Sequence, residues 1–194
     1  MHYKAILGVL AVVLGIVGYT PYFRDIFRGK TKPHAFSWLI WGVLTAIAFA
    51  GQVASNGGAG TWVTGFTALI CILIFLLALQ RGTKDFPLLD WLSLGGAGLA
   101  LLLWFITSDP LSAIILVTLT DMLGFIPTFR KSYQRPDEET LLTYAFSGIK
   151  FIFGIAALNE LTLVNVLYPA SLILTNSLFI AMCISRRTRL SDTK

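Results

Sequence analysis

Charged side chains are scarce in this chain. They make up 13% of its 194 residues, about half the ~25% usual in a soluble domain. A water-facing globule of this size could not clothe its surface with so few. Cysteine is rarer still: Cys71 and Cys183 are the two present, both inside apolar runs, which excludes a disulfide framework and a zinc cluster. The histidines are His2 and His34, and no Gly-x-Ser-x-Gly elbow, nucleotide loop or His-Glu-x-x-His motif accompanies them. No enzyme chemistry, metal or cofactor is expected, and the last apolar run has no lysine to hold retinal. What the chain has instead is 56% hydrophobic residues with 14 Phe, 6 Tyr and 5 Trp. That surplus also excludes intrinsic disorder.

Seven apolar runs, at 4–22, 36–54, 61–80, 88–107, 111–129, 140–158 and 163–184, approach the ~20 residues needed to cross a bilayer. They lack period-2 alternation and exceed the ~10 residues of a barrel strand, so an all-α integral membrane protein with seven transmembrane helices is expected. The first run carries Lys4 but no small-x-small cleavage site before Pro21, which favours a helix over a signal peptide. Of the 15 basic residues, 13 fall in alternate connections: Arg24, Arg28, Lys30 and Lys32; Arg81 and Lys84; Arg130, Lys131 and Arg135; Arg186, Arg187, Arg189 and Lys194. The opposite connections hold only Lys4, and Lys150 lies in mid-span. The positive-inside rule then puts the N-terminus outside and the C-terminus in the cytoplasm. The net charge of +5 is a topology signal with affinity for anionic lipid headgroups. Nucleic acid is not an expected partner, since no basic-aromatic surface accompanies the charge. The short connections leave no soluble catalytic domain and point to a prokaryotic cell membrane.

Shifting the chain by 106 residues without a gap aligns Gly18 with Gly124, Pro21 with Pro127, Phe23 with Phe129 and Arg24 with Arg130. The same register aligns Ser37 with Thr143, Trp38 with Tyr144, Gly42 with Gly148, Ala50 with Ala156, Trp62 with Tyr168 and Arg81 with Arg187. Runs 1–3 and 5–7 therefore read as copies. Because three is odd, the fourth run is needed to restore a common orientation, and its Gly95-Gly96-x-Gly98 stretch suits close packing. The expected plan is a 3+1+3 pseudo-symmetric parallel repeat: residues 1–85 a first three-helix bundle, 86–108 a linker helix, 109–187 a second bundle and 188–194 a cytoplasmic tail. Such halves leave a solute path between them.

This plan resembles the PQ-loop superfamily, which includes SWEET-like sugar carriers and cystinosin-like amino-acid exporters. The segments carrying the likeness are Gly18-Tyr-Thr-Pro21-Tyr-Phe-Arg24-Asp25 with Phe36-Ser37-Trp38, and Gly124-Phe-Ile-Pro127-Thr-Phe-Arg130. In a departure from that pattern, Tyr22 and Thr128 follow the two prolines where the family carries glutamine. The resemblance implies a membrane transporter for a small polar solute (sugar, amino acid or vitamin-like) working by alternating access, with proton coupling as an option. Relatives that act as retrieval receptors leave a second reading, a non-transporting receptor or assembly protein. The oligomeric state stays open, a homo-oligomer included.

Pro21 and Pro127 are candidate hinges, since each removes a helix hydrogen bond; the plainer reading is that both mark helix ends. Asp121 lies roughly 16 Å deep at ~1.5 Å per residue, and Lys150 lies at a similar depth in the next run. Ionisable groups there face a bundle interior or cavity, and opposite charges at one depth are expected to find each other, either as a structural ion pair or as a site for a charged solute or proton. Their repeat counterparts are Gly15 and Leu44, so the charges belong to one half only. Asn176 is either interhelical glue or a solute ligand; the resemblance implies the latter, although its counterpart is Ile70. Trp38 and Trp41 are belt anchors or stacking surfaces, with Tyr144 and Ser147 as counterparts. Thr45 and Thr120 offer cavity hydroxyls or bonds to their own helices. Trp62, Trp104 and Tyr168 read as interfacial belt residues.

Overall fold

In a computed structural model, residues 2–30, 33–82, 88–134, 136 and 141–191 are described. The expectations for Lys32, Lys84, Arg135 and Lys194, and for the side chains of Pro127, Arg130 and Lys131, lie outside the described residues.

A long apolar run in a medium without hydrogen-bond partners must satisfy its backbone internally, and the helix does so. Seven α-helices occupy the seven apolar runs: α1 (His2–Phe27), α2 (Ala35–Ala54), α3 (Trp62–Arg81), α4 (Leu88–Thr107), α5 (Pro110–Gln134), α6 (Leu141–Ala156) and α7 (Leu163–Ser191). A short 3-10 turn at Gly58–Thr61 leads into α3, and no strand occurs among the described residues. Helix α1 stops in a Schellman arrangement: Gly29 adopts φ +68°, its N–H donates to Ile26 and the Lys30 N–H donates to Asp25. Glycine suits that left-handed position because it has no Cβ to clash. Helix α2 starts at His34, whose ring nitrogen accepts the Ser37 N–H.

Four segments, His2–Phe27, Ala35–Ala54, Gly58–Arg81 and Leu163–Arg189, are long and apolar enough to cross a membrane; the apolar stretches Leu94–Thr107, Pro110–Ile126 and Leu141–Ala156 are shorter. Many large apolar side chains lie on the outside, and several polar ones are buried beside an apolar core. Val9, Val13, Leu69, Leu76 and Phe105 are exposed, while Gln52, Thr64, Asp121, Lys150 and Asn165 are buried. These are the features of a membrane-embedded protein, with an apolar exterior facing lipid.

Helix α3 packs against both α1 and α2, and α7 packs against both α5 and α6. Between these triplets, α1 lies on α6 and α2 on α5, with lesser contacts of α3 on α6 and of α2 on α7. Helix α4 rides on the outside against α5 and α2. Its glycines only partly serve as expected. A Cβ on Gly96 would lie 2.6 Å from the Thr120 hydroxyl oxygen, but Gly95 and Gly98 meet nothing within 4 Å, because they face away from α5.

The end of the bundle carrying the 3-10 turn is tied across the triplets. Lys4 Nζ donates to the carbonyls of Leu158 (2.7 Å) and Asn159 (3.3 Å), a cation at the carbonyl end of α6. The Asn159 N–H donates to Gly57 O at 3.0 Å. Gln52 Nε2 donates to Asn165 O at 2.8 Å, and Asn165 Nδ2 donates to Ser55 O at 2.9 Å. At the opposite end, Arg81 reaches Phe27 O, Arg186 reaches Tyr133 O and Arg187 reaches Pro136 O, all within one triplet.

The glycines give a direct test of this packing. A Cβ on Gly60 would lie 2.5 Å from Gly154 O and 2.7 Å from Leu158 N, both backbone atoms that cannot swing aside. Gly60→Ala is expected to lower stability in detergent by about 1–3 kcal/mol, while Gly95→Ala and Gly98→Ala stay within about 0.5 kcal/mol of wild type. Thermal unfolding of the three purified variants checks the contrast.

Candidate functional site

Lys150 sits on the face of α6 turned toward α1 and α3. It is 1% exposed, and its ammonium donates to Thr67 Oγ1 at 2.9 Å and to the Tyr19 hydroxyl at 3.4 Å. Thr67 directs its own hydrogen to Val63 O at 2.7 Å, which leaves the hydroxyl oxygen free to accept from the lysine. The ammonium also lies 4.6 Å from the Tyr19 ring centroid and 4.9 Å from that of Phe151, within cation–π range. Gly15 lies beside the lysine stem and makes room for the Phe66 ring, which a Cβ there would approach to 2.7 Å.

Asp121 projects from α5 into different surroundings and is 4% exposed. Its carboxyl faces the hydroxyl of Tyr168 on α7, which in turn lies 3.3 Å from Thr45 Oγ1 on α2. Thr45 commits its hydrogen to Trp41 O at 2.6 Å. Tyr168 therefore has one hydrogen for two acceptors, Thr45 and the carboxylate. A proton on Asp121 would remove that competition and complete a relay from the carboxyl through Tyr168 and Thr45 to the Trp41 carbonyl.

The expected meeting of Asp121 and Lys150 does not occur. The ion pair among the described residues is Arg24–Asp25, at 3.1 Å. The reason is that α5 and α6, though consecutive, do not pack on each other: α6 lies against α7, α1 and α3 and α5 against α4, α7 and α2, so the lysine meets α1 and α3 while the aspartate meets α7. Cys71, buried on α3, lies within electrostatic reach of both charges.

The remaining candidates divide. Thr45 belongs with Asp121. Ser147 is half-buried one helical turn before Lys150. Thr120 faces Gly96 of α4 and stands apart, because adjacent helical residues point about 100° from one another. Asn176 is buried, but its Nδ2 donates to Leu172 O of its own helix at 2.6 Å. Trp38, Trp41 and Tyr144 lie in aromatic clusters closer to the arginine-bearing end. Trp38 donates from Nε1 to the Tyr22 hydroxyl at 3.2 Å and meets Trp41 edge-on at 5.3 Å, while Tyr144 packs on Phe179 at 4.2 Å. Pro21 lies within continuous α1, and the backbone at Pro127 is within α5; neither marks a helix end.

One belt assignment needs correction: Tyr168 is 2% exposed and is a core partner of Asp121. Trp104 is half-buried near the end of α4, with one side on the main apolar core. Trp62 stays at the surface. Tyr19, Thr67, Gln52, Asn165 and Pro169 were not foreseen. For α3 the signal is Thr64, Thr67 and Cys71, a polar stripe at helical spacing. For α7 it is Pro169, whose missing N–H frees the carbonyl of Asn165 four residues earlier, where Gln52 supplies the lost donor. A shallow hollow of about 400 Å³ lined by Val53, Asn56, Trp62 and Asn159 opens at the end carrying the 3-10 turn, away from both charges.

Comparisons with known protein families, with characterised proteins and with solved structures return no match for this chain.

The surroundings of Lys150 predict an asymmetry. Replacing a buried, unpaired cation by an apolar chain of similar length removes a desolvation cost, so Lys150→Met should melt at or above the wild-type temperature in detergent. Thr67→Val leaves the ammonium with one oxygen partner fewer and should lower stability by about 1–3 kcal/mol. A Lys150→Met protein that unfolds well below wild type would make the lysine a structural element.

Proposed function

We propose that this protein is a carrier that moves a small polar solute across the membrane by alternating access, through a midplane site between two three-helix bundles. The observation that carries the proposal is the pair of buried, mutually unpaired charges. An ammonium and a carboxyl group each reside among neutral groups at the centre of an apolar bundle, where an isolated charge costs several kcal/mol. Packing alone gives no reason to keep them. A solute or proton that visits the site does.

The duplicated architecture has independent support. Exchanging α1, α2 and α3 for α5, α6 and α7 maps the contact of α1 on α6 onto that of α5 on α2, and α3 on α6 onto α7 on α2. The ring pair Tyr19–Trp38 has centroids 6.4 Å apart at 66°. Its counterpart 106 residues on, Phe125–Tyr144, has 6.3 Å and 76°. Arg81 reaches the carbonyl of Phe27 and lies over its ring; at Tyr133, the counterpart of Phe27, Arg186 does the same, one residue before Arg187, the aligned counterpart of Arg81.

In this reading the N-terminus and the 3-10 turn are outside, and the arginine-bearing end is cytoplasmic. The outer end is the closed one, tied by Lys4, Asn159, Gln52 and Asn165 across the bundles. Pro21 and Pro127, both toward the cytoplasmic end, are the bends about which the inner side parts. The relay from Asp121 through Tyr168 suits a coupling proton.

Counterflow in proteoliposomes, across a panel of sugars, amino acids and vitamins, tests the proposal. Exchange of at least one solute is expected, and Pro21→Ala or Pro127→Ala should slow it about tenfold while the protein stays monodisperse. Asp121→Asn should abolish dependence on a pH gradient. Saturable binding without exchange would favour a receptor instead, and a cytoplasmic N-terminus in a reporter fusion would overturn the orientation.

A further inference from the structure

The two buried charges say more about the solute than that it is polar. Lys150 and Asp121 are 1% and 4% exposed, and each is met by neutral partners: Thr67 and Tyr19 on one side, Tyr168 backed by Thr45 on the other. Cys71, one helical turn after Thr67 on α3, lies within electrostatic reach of both. Two of the three ammonium N–H groups have oxygen partners, leaving one for a further acceptor. Buried hydroxyls with no partner stand one helical turn from the lysine's partner Thr67 and from Asp121. These are Thr64 Oγ1, before Thr67 on α3, and Thr118 Oγ1, before Asp121 on α5.

Opposite charges in a low-dielectric interior attract strongly, and the least costly arrangement for a purely structural pair is contact with good geometry. Here helix packing keeps them on separate faces. A ligand that compensates both must itself carry both signs. A sugar would leave two charges unmet, a simple carboxylate would leave Asp121, and a simple amine would leave Lys150.

We infer that the solute is a small zwitterion, with its carboxylate facing Lys150, Thr67 and Tyr19 and its ammonium facing Asp121 and Tyr168. This rests on the carrier reading above and adds the substrate's charge pattern. The hydroxyls of Thr64 and Thr118 lie close enough in sequence and helical phase to serve the two ends of such a ligand. Charges held on separate faces favour a solute whose ionic groups are several bonds apart over the most compact one.

The test uses the full chain in lipid nanodiscs for binding and in proteoliposomes for counterflow. The probes are glycine, β-alanine and γ-aminobutyrate, which move the two charges apart by one methylene at a time, with acetate, ethylamine, glycinamide and glucose as controls. At least one zwitterion should bind ten or more times more tightly than every control. Lys150→Met should lower that preference over ethylamine at least tenfold, and Asp121→Asn should do so over acetate. The wild-type panel decides the matter even if a variant fails to fold. Equal affinity for glycine and glycinamide with no gain along the series, or no binding of any zwitterion, overturns the inference. Exchange of glucose or of a singly charged control without any zwitterion overturns it too, but leaves the carrier reading standing. Zwitterion binding without exchange has the opposite meaning: the charge pattern holds and the carrier reading falls.

Discussion

Hydrocarbon offers no hydrogen bonds, and the rest of this structure follows from that constraint. Every polar group at membrane depth must find its partner inside the protein. Outer faces are therefore left to Val, Leu, Ile and Phe, and buried Thr, Gln, Asn, Asp and Lys are gathered inside among apolar core residues. The rule reaches single atoms. Pro169 cannot donate to the carbonyl of Asn165, and a glutamine from another helix fills the gap. The turn after α6 presents carbonyls, and Lys4 covers them.

The same constraint gives Lys150 and Asp121 their interest. Most buried polar groups here are satisfied by a neighbour, usually a carbonyl one helical turn away, as for Thr45, Thr67, Thr175 and Asn176. Such bonds are local and nearly independent of the fold. The two ionisable groups differ because a backbone carbonyl or a hydroxyl compensates a full charge only in part. They stand on different helices, near the unpartnered hydroxyls of Thr64 and Thr118. The hydrogen bonds between the triplets gather at the end carrying the 3-10 turn; in the proposed carrier that end is the closed one.

Much of the fold was legible in the sequence. All seven helices lie on the expected apolar runs, since insertion depends on the summed transfer free energy of a run and hardly on what packs beside it. The candidate site was legible only by composition. An Asp and a Lys in apolar runs marked themselves, and so did Thr45. Their partners did not: Tyr168 looked like an interfacial anchor because it lies near the outer end of its apolar run. Tyr19 and Thr67 carried no mark beyond helical spacing. The expected Asp121–Lys150 pair failed because depth can be read from residue number, whereas which helices become neighbours cannot: α5 and α6 follow one another in the chain but do not pack together.

The sequence alone therefore determined which segments are helices, that their exteriors are apolar and which ionisable residues lie deep. These are sums over local properties. Only the tertiary structure decided which face each helix turns inward, that Lys150 joins α1 and α3 while Asp121 joins α7, and that Gly96 but not Gly95 or Gly98 meets a neighbour. A rotation of about 100° per residue converts small differences in helix packing into wholly different partners, so contact identity is a property of the assembled bundle.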